Sequence, residues 1–304
     1  MVACHPGEAK SPEQAAVEPR NVRTRPFGPT SRPVPVVGQG TWLLEKEPER
    51  EAIGALHAGF EAGMTHVDTA EYYGDGAAES LVGRAIEAWG RRADLFLVSK
   101  VLPDHASRRG TVQACERSLE RLRIDQLGLY LLHWPGDEPL EETIAGFEDL
   151  VGAGKILAWG VSNFDADLLR RAVEIGGPGR VACDQVLYHL RERAIEHAVL
   201  PACRDLGVAL VAYSPFGSGK FPGPDTRGGR VLAELAKARG ASARQLALAF
   251  LLREEGTFAI PKAGKAEHAR ENAAAGDIEL SEDEVRRIEQ AFPRGPQPRE
   301  LPMI

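Results

Sequence analysis

Residues 95–133 read LFLVSKVLPDHASRRGTVQACERSLERLRIDQLGLYLLH. An apolar run, Leu95–Lys100, is followed by Val112, Cys115, Leu119 and Leu122 at three- and four-residue steps, and then by a second apolar run, Leu127–His133. Steps of three and four put side chains on one helical face, whereas short unbroken apolar runs fit strands buried on both sides. The stretch therefore reads as strand, helix, strand. Parallel strands need such a crossover, and the crossover is right-handed.

Outward from this unit the pattern repeats. Apolar runs lie at Val34 (VPVVG), Thr65 (THVDT), Leu95, Leu127, Leu157 (LAWGVS), Arg180 (RVACDQV), Val208 (VALVAYS) and Thr257 (TFAIP), eight in all. Helical patterns separate them, such as Ile53, Leu56 and Phe60, or Leu81, Val82, Ile86 and Trp89. Eight such units fit one closed (β/α)8 TIM barrel better than an open sheet. The interval from Tyr213 to Thr257 is longer; it holds a Gly/Pro-rich insertion, PFGSGKFPGPDTRGG, expected to lie over the barrel as a flap, and two helices. Near the end, Ser281 and Glu284 have capping-box spacing. The barrel domain is placed at residues 25–304, and residues 1–24, rich in Pro, Glu and Arg, are expected to form a flexible extension.

Composition narrows the function classes. A net charge of −7 argues against nucleic acid or an anionic membrane surface as the main partner. The longest apolar run, Leu246–Leu252, falls far short of the roughly 20 residues that span a bilayer. Four cysteines, Cys4, Cys115, Cys183 and Cys203, are widely spaced and form no CxxC, as expected of free thiols in a reducing cytoplasm. A monomer is expected, with no metal.

In a barrel, groups at the C-terminal ends of strands point into the mouth. Asp68, Lys100, His133, Ser162 with Asn163, and Tyr213 with Ser214 all follow apolar residues at strand ends, and Gln185 lies within its run. Each alone has a duller explanation: Asp68 as a loop cap, His133 as a core histidine, Lys100 as a solvated strand end. Converging from neighbouring strands, they read as a site. Tyr73, five residues past Asp68 in a Gly-bounded loop, is the candidate proton donor. A phenol has a pKa near 10, and an ammonium about 4 Å away contributes on the order of 4 kcal/mol at an effective dielectric of about 20, or up to roughly three pKa units. Lys100 is expected to supply that ammonium and so make Tyr73 acidic; Asp68 would keep it charged, and His133 would orient a substrate oxygen. Tyr72 is expected to point to the other side and pack, a rim residue at most. Two rival readings use the same residues: a lyase with a Schiff base on Lys100, and a sensor barrel that binds its ligand with little turnover.

DTAEYYG, VSK, LHWP, GVSNF, QVLYH, AYSPFG and AIPKAG, in this order over roughly residues 33–292, closely resemble the aldo-keto reductases. The resemblance implies a catalytic tetrad of Asp68, Tyr73, Lys100 and His133, with Tyr73 as general acid, and a nicotinamide cofactor, preferentially NADPH with NADH possible. It implies that Ser162, Asn163 and Gln185 hold the carboxamide, that Tyr213 stacks on the ring, and that Ser214, Phe216 and Ser218 lie over the pyrophosphate. Gly40, Thr41 and Trp42 would end strand one, Gly40 and Thr41 beside the cofactor, with Trp42 and Trp134 walling the substrate pocket. Lys262 would meet the 2′-phosphate, and Glu271 with Asn272 the adenine. At His268 many members have an arginine that grips this phosphate; a neutral imidazole is a weaker partner, with Lys265 or Arg270 as possible substitutes. The short connection after His133 and the short tail beyond Phe292 imply an open, shallow site for small carbonyl substrates. The likeness is greatest to bacterial members that reduce methylglyoxal-type dicarbonyls and aromatic aldehydes.

Overall fold

The computed structural model describes residues 22–304. Two short strands, β1 (Thr24–Pro26) and β2 (Pro33–Pro35), pair antiparallel ahead of the barrel. Eight parallel strands follow in chain order: β3 (Gln39–Gly40), β4 (His66–Asp68), β5 (Phe96–Val101), β6 (Leu127–Leu132), β7 (Ile156–Ser162), β8 (Val181–Leu187), β9 (Ala209–Tyr213) and β10 (Thr257–Ala259). The ring closes where Val37 and Gly40 bridge Ala259 and Lys262 in parallel, with the Gly38 amide donating to the Ala259 carbonyl at 2.8 Å. A Cβ on Gly40 would come within 2.6 Å of the Ile260 carbonyl, so glycine permits this seam.

Around the sheet lie α1 (Glu49–Glu61), α2 (Ala77–Trp89), α3 (Arg108–Leu122), α4 (Leu140–Gly152), α5 (Ala166–Gly176), α6 (Val199–Leu206), α7 (Arg227–Arg239), α8 (Ala243–Leu251), α9 (Ala266–Ala273) and α10 (Glu282–Ala291). The long interval after β9 does hold two helices, α7 and α8, and Ser281 and Glu284 do form a capping box on α10. Strand alternation sorts inside from outside. On β5, Ser99 points out to α2, where its Oγ donates to the buried Glu79 at 2.5 Å; Arg121 of α3 closes on the same carboxylate. Its neighbour Lys100 points inward and has no exposed surface.

The floor is closed by the β1–β2 hairpin. Phe27 is fully buried, its ring 4.8 Å from Phe258, 5.2 Å from Phe96 and 6.0 Å edge-on from His66. This corrects part of the reading of VPVVG as the first barrel strand: Val34 and Pro35 pair in the hairpin, while Val37 and Gly38 join the seam with Ala259. Pro33 and Pro35 have no N–H for a parallel ladder; they pair in the hairpin, and the barrel takes Gln39–Gly40 instead. Of the expected extension, residues 1–21 and with them Cys4 lie outside the described residues. Val22 is already buried and Thr24 opens β1. Cys115, Cys183 and Cys203 are buried and free, and among the described residues no helix is long and apolar enough to cross a membrane.

His66 at the floor is buried, its Nδ1 without a partner among the described residues. Burial, with the Lys100 charge adding to it, pushes the imidazole down to about 3. The ring is neutral in the fold but protonates in the unfolded chain near pH 6.5. Its contribution to stability is therefore complete above about pH 6.5 and is lost as pH falls towards the folded value. Unfolding free energy should drop on this account by about 1.4 kcal/mol per pH unit below about 6.5. Denaturant unfolding at pH 7, 6 and 5 should show a shallower slope for His66→Phe than for the wild type; equal slopes would remove His66 as the cause.

Candidate active site

Asp68, Lys100 and Tyr73 meet at the C-terminal end of the barrel. Lys100 Nζ donates to Asp68 Oδ1 at 2.5 Å, to the Thr69 carbonyl at 3.0 Å and to the Tyr73 hydroxyl at 3.2 Å. The other carboxylate oxygen, Asp68 Oδ2, accepts from Gln185 Nε2 at 2.7 Å, reaching from β4 to β8. Burial works against the Lys100 charge, but Asp68 and Tyr73 outweigh it and hold the ammonium above the usual lysine range. Burial likewise raises Asp68 while Lys100 and Gln185 oppose it. A carboxylate sharing a dry site with a bonded ammonium keeps its charge.

The phenol departs from expectation. The residue Tyr73 is only partly buried, yet its hydroxyl lies deep in the cleft beside Lys100. Burial raises its pKa, Asp68 adds to the rise, and Lys100 only offsets part of it. Tyr73 thus keeps its proton more firmly than a free tyrosine, because the phenolate would lose its hydration. Lys100 limits that cost.

His133 follows β6 and stands edge-on to Tyr73, ring centroids 5.5 Å apart. Burial and the Lys100 charge push its imidazole down to about 2, so the ring is neutral and has one N–H to donate. Asn163 sits in left-handed backbone (φ 61°), which asparagine tolerates. Its Nδ2 donates to the His133 carbonyl at 3.0 Å and to Ser162 Oγ at 3.2 Å, and its Oδ1 accepts from the Tyr213 hydroxyl at 2.9 Å. The two loops and the β9 end are thereby tied together, with the Tyr213 ring on the cleft wall.

Two adjoining hollows open over these groups. One, about 380 Å³, runs from Asp68 and Tyr73 past Gly40, Thr41, Trp42, Tyr213, Ser214, Phe216 and Ser218 to Lys262. The other, about 140 Å³, is lined by Tyr72, His133, Trp134, Ser162, Asn163, Gln185 and Ile304, and shares Trp42, Tyr73, Tyr213 and Ser214 with the first. A larger hollow, about 550 Å³, lined by Arg32, Arg92 and Leu157, lacks any such buried pair, so size does not locate the site.

Most residues singled out in the sequence converge here, but three do not. His268 is exposed, 3.7 Å from Glu267 Oε1; the Glu271 carbonyl accepts from Gln245; Asn272 is buried; none of the three lines either hollow. Tyr72 does not point away: half-exposed, it stands edge-on to His133 and Trp134 on the same rim. Residues 71–76 form consecutive turns, and neighbours alternate sides only in extended chain. The tail does not leave the site open, since Ile304 returns to line the smaller hollow. Three contacts had no local signal in the sequence: Gln185 on Asp68, the Thr69 carbonyl on Lys100, and Glu47, which accepts from Lys262 Nζ at 2.8 Å.

The same architecture and motifs recur in known proteins. The methylglyoxal reductase YeaE of Escherichia coli K12 is 42% identical over 262 residues, covering 86% of this chain and 92% of its own. An NADH-specific methylglyoxal reductase of the same strain is 30% identical over 310 residues, covering 84% and 94%. A crystal structure of an aldo-keto reductase from Klebsiella pneumoniae in complex with NADPH superimposes with a TM-score of 0.85 at 41% identity, over 93% of this chain and 99% of that one. A model of the aldo/keto reductase family matches residues 36–292, the span that carries the barrel and every residue of the buried cluster, and the chain belongs to that family.

Proposed function

We propose that the protein is an NAD(P)H-dependent reductase of small aldehydes and ketones, methylglyoxal-like or aromatic, with Tyr73 as the proton donor. The observation that carries this reading is the Asp68–Lys100–Tyr73 chain of hydrogen bonds at the bottom of a cleft that His133 also faces.

The residues present fit a nicotinamide dinucleotide. The hollow of about 380 Å³ runs from the phenol to Lys262, as an extended ligand would need, and Tyr213 lines it. Gln185 keeps its amide oxygen, and Ser162 its place on the wall, for the carboxamide; Ser214, Phe216 and Ser218 would cover the pyrophosphate. When bound, the reduced nicotinamide supplies a hydride to the carbonyl carbon. Everything else belongs to the chain's own groups. His133 donates its N–H to the carbonyl oxygen and fixes its direction. Tyr73 releases its proton to that oxygen as negative charge gathers there. Lys100 stabilises the phenolate left behind, and Asp68, held by Gln185, keeps the ammonium charged and aimed. Trp42, Tyr72, Trp134 and Ile304 enclose a space of small-carbonyl size. The names of the methylglyoxal-reducing relatives support that substrate class. A Schiff base on Lys100 requires a neutral amine, and its three bonds and raised pKa oppose this.

Tyr73→Phe should cut kcat for aldehyde reduction by about 10²- to 10⁴-fold, with the Kd for NADPH, read by fluorescence titration, within about twofold of the wild type. Substantial turnover in this variant would mean the proton source is misassigned. A sensor barrel would show no steady-state rate on any carbonyl, even in the wild type. Lys100→Met should be nearly as severe, and borohydride with substrate should trap no adduct on Lys100. A stable reduced adduct would favour the lyase.

A further inference from the structure

Lys262, at the far end of the cleft, is already engaged. Its Nζ donates to Glu47 Oε1 at 2.8 Å and to the Leu43 carbonyl at 3.1 Å. Glu47 follows the turn Leu44–Lys46 beyond β3, and its carboxylate lies flat against Gly264: a Cβ there would come within 3.0 Å of Oε1. The bond to Lys262, with Lys265 adding attraction, holds the Glu47 carboxyl below its usual range. Helix α9 begins just beyond, at Ala266, with no side-chain cap on its first turn. A carboxylate of the chain itself therefore sits beside the ammonium proposed above for the 2′-phosphate.

We propose that Glu47 is a cofactor-specificity residue: its carboxylate, bonded to the ammonium at the Lys262 end of the cleft, acts there as an internal anion, so that a 2′-phosphate gains little over a 2′-hydroxyl. This rests on the nicotinamide reading. Two of the three N–H donors of the ammonium are engaged, so a phosphate that takes the third meets the like charge of Glu47 unless the carboxylate is displaced. A 2′-hydroxyl meets neither obstacle. His268, turned to Glu267, supplies no second cation in compensation. Lys262 and Glu47 are each about one-third exposed (33% and 38%), so their pairing is exchangeable and the effect is a few-fold rather than absolute.

The test is a pair of titrations, NADPH and NADH, followed by quenching of tryptophan fluorescence, with Trp42 in the cleft wall as reporter. Glu47→Gln should lower the Kd for NADPH by about two- to fivefold and leave that for NADH unchanged. In a Lys262→Met background the same substitution should no longer separate the two cofactors. Equal shifts for both cofactors would make Glu47 a loop-packing residue only, and no shift, or a selective shift that persists without Lys262, would overturn the inference as well. Wild-type protein that binds neither nucleotide would sink the nicotinamide reading and this inference with it. Wild-type binding of both, with an unchanged ratio in Glu47→Gln, sinks this inference alone.

Discussion

The site depends on one ion pair held out of water. Lys100 has no exposed surface and Asp68 almost none, and placing either charge alone in such an interior costs several kcal/mol. The fold meets this by using every donor of the ammonium: Asp68 from β4, the Thr69 carbonyl beyond it, and the Tyr73 hydroxyl. Gln185, from β8 across the barrel, takes the second carboxylate oxygen. A pair of this kind is weak evidence for stability. Its consequence is positional: if any partner shifts, an uncompensated buried charge remains, so strands and loop are held in one arrangement and the phenol is fixed with them.

That arrangement changes the meaning of the tyrosine. A cation next to a phenol in water would simply make it more acidic. In the dry end of a barrel, the lost hydration of the phenolate outweighs the cation, and Tyr73 stays protonated at neutral pH. On the proposed mechanism, such a group keeps its proton until negative charge appears on an oxygen beside it, and Lys100 limits the cost of what remains. His133 follows the same rule: burial and the nearby ammonium keep it neutral, so it donates a hydrogen bond without adding a second cation.

The two lysines of the cleft show how burial sets function. Lys100 and Lys262 both donate to a carboxylate, at 2.5 and 2.8 Å. In the interior the partner cannot be exchanged, because nothing else would solvate the charge. At the partly exposed rim the attraction is screened by solvent, so an arriving anion can compete for it. On the proposed reading, one pairing serves the chemistry, and the other sets a threshold for the cofactor.

Much of this was legible in the chain. Alternation of apolar runs with three- and four-residue periodicity determined eight βα units, and the strand-end rule picked out Asp68, Lys100, His133 and Tyr213, because which side a strand residue faces is a local, period-two property. Local chemistry also decided the Ser281–Glu284 cap. Tertiary structure alone decided the rest. VPVVG has the hydrophobicity of one strand, but Pro35 withholds an N–H and the run divides between the hairpin and the closing seam, where Gly38 and Gly40 are needed. The side taken by Tyr72 and the return of Ile304 to the mouth follow from loop paths that carry no periodicity, and that His268, Glu271 and Asn272 line neither hollow depends on how helix α9 packs against the barrel. Electrostatics depends on separation and burial, and the contacts that set both here span 32 residues from Asp68 to Lys100, 117 from Asp68 to Gln185 and 215 from Glu47 to Lys262. The residue types were readable one by one; the sign of the Tyr73 shift and the partner of Lys262 existed only once the barrel had closed around them.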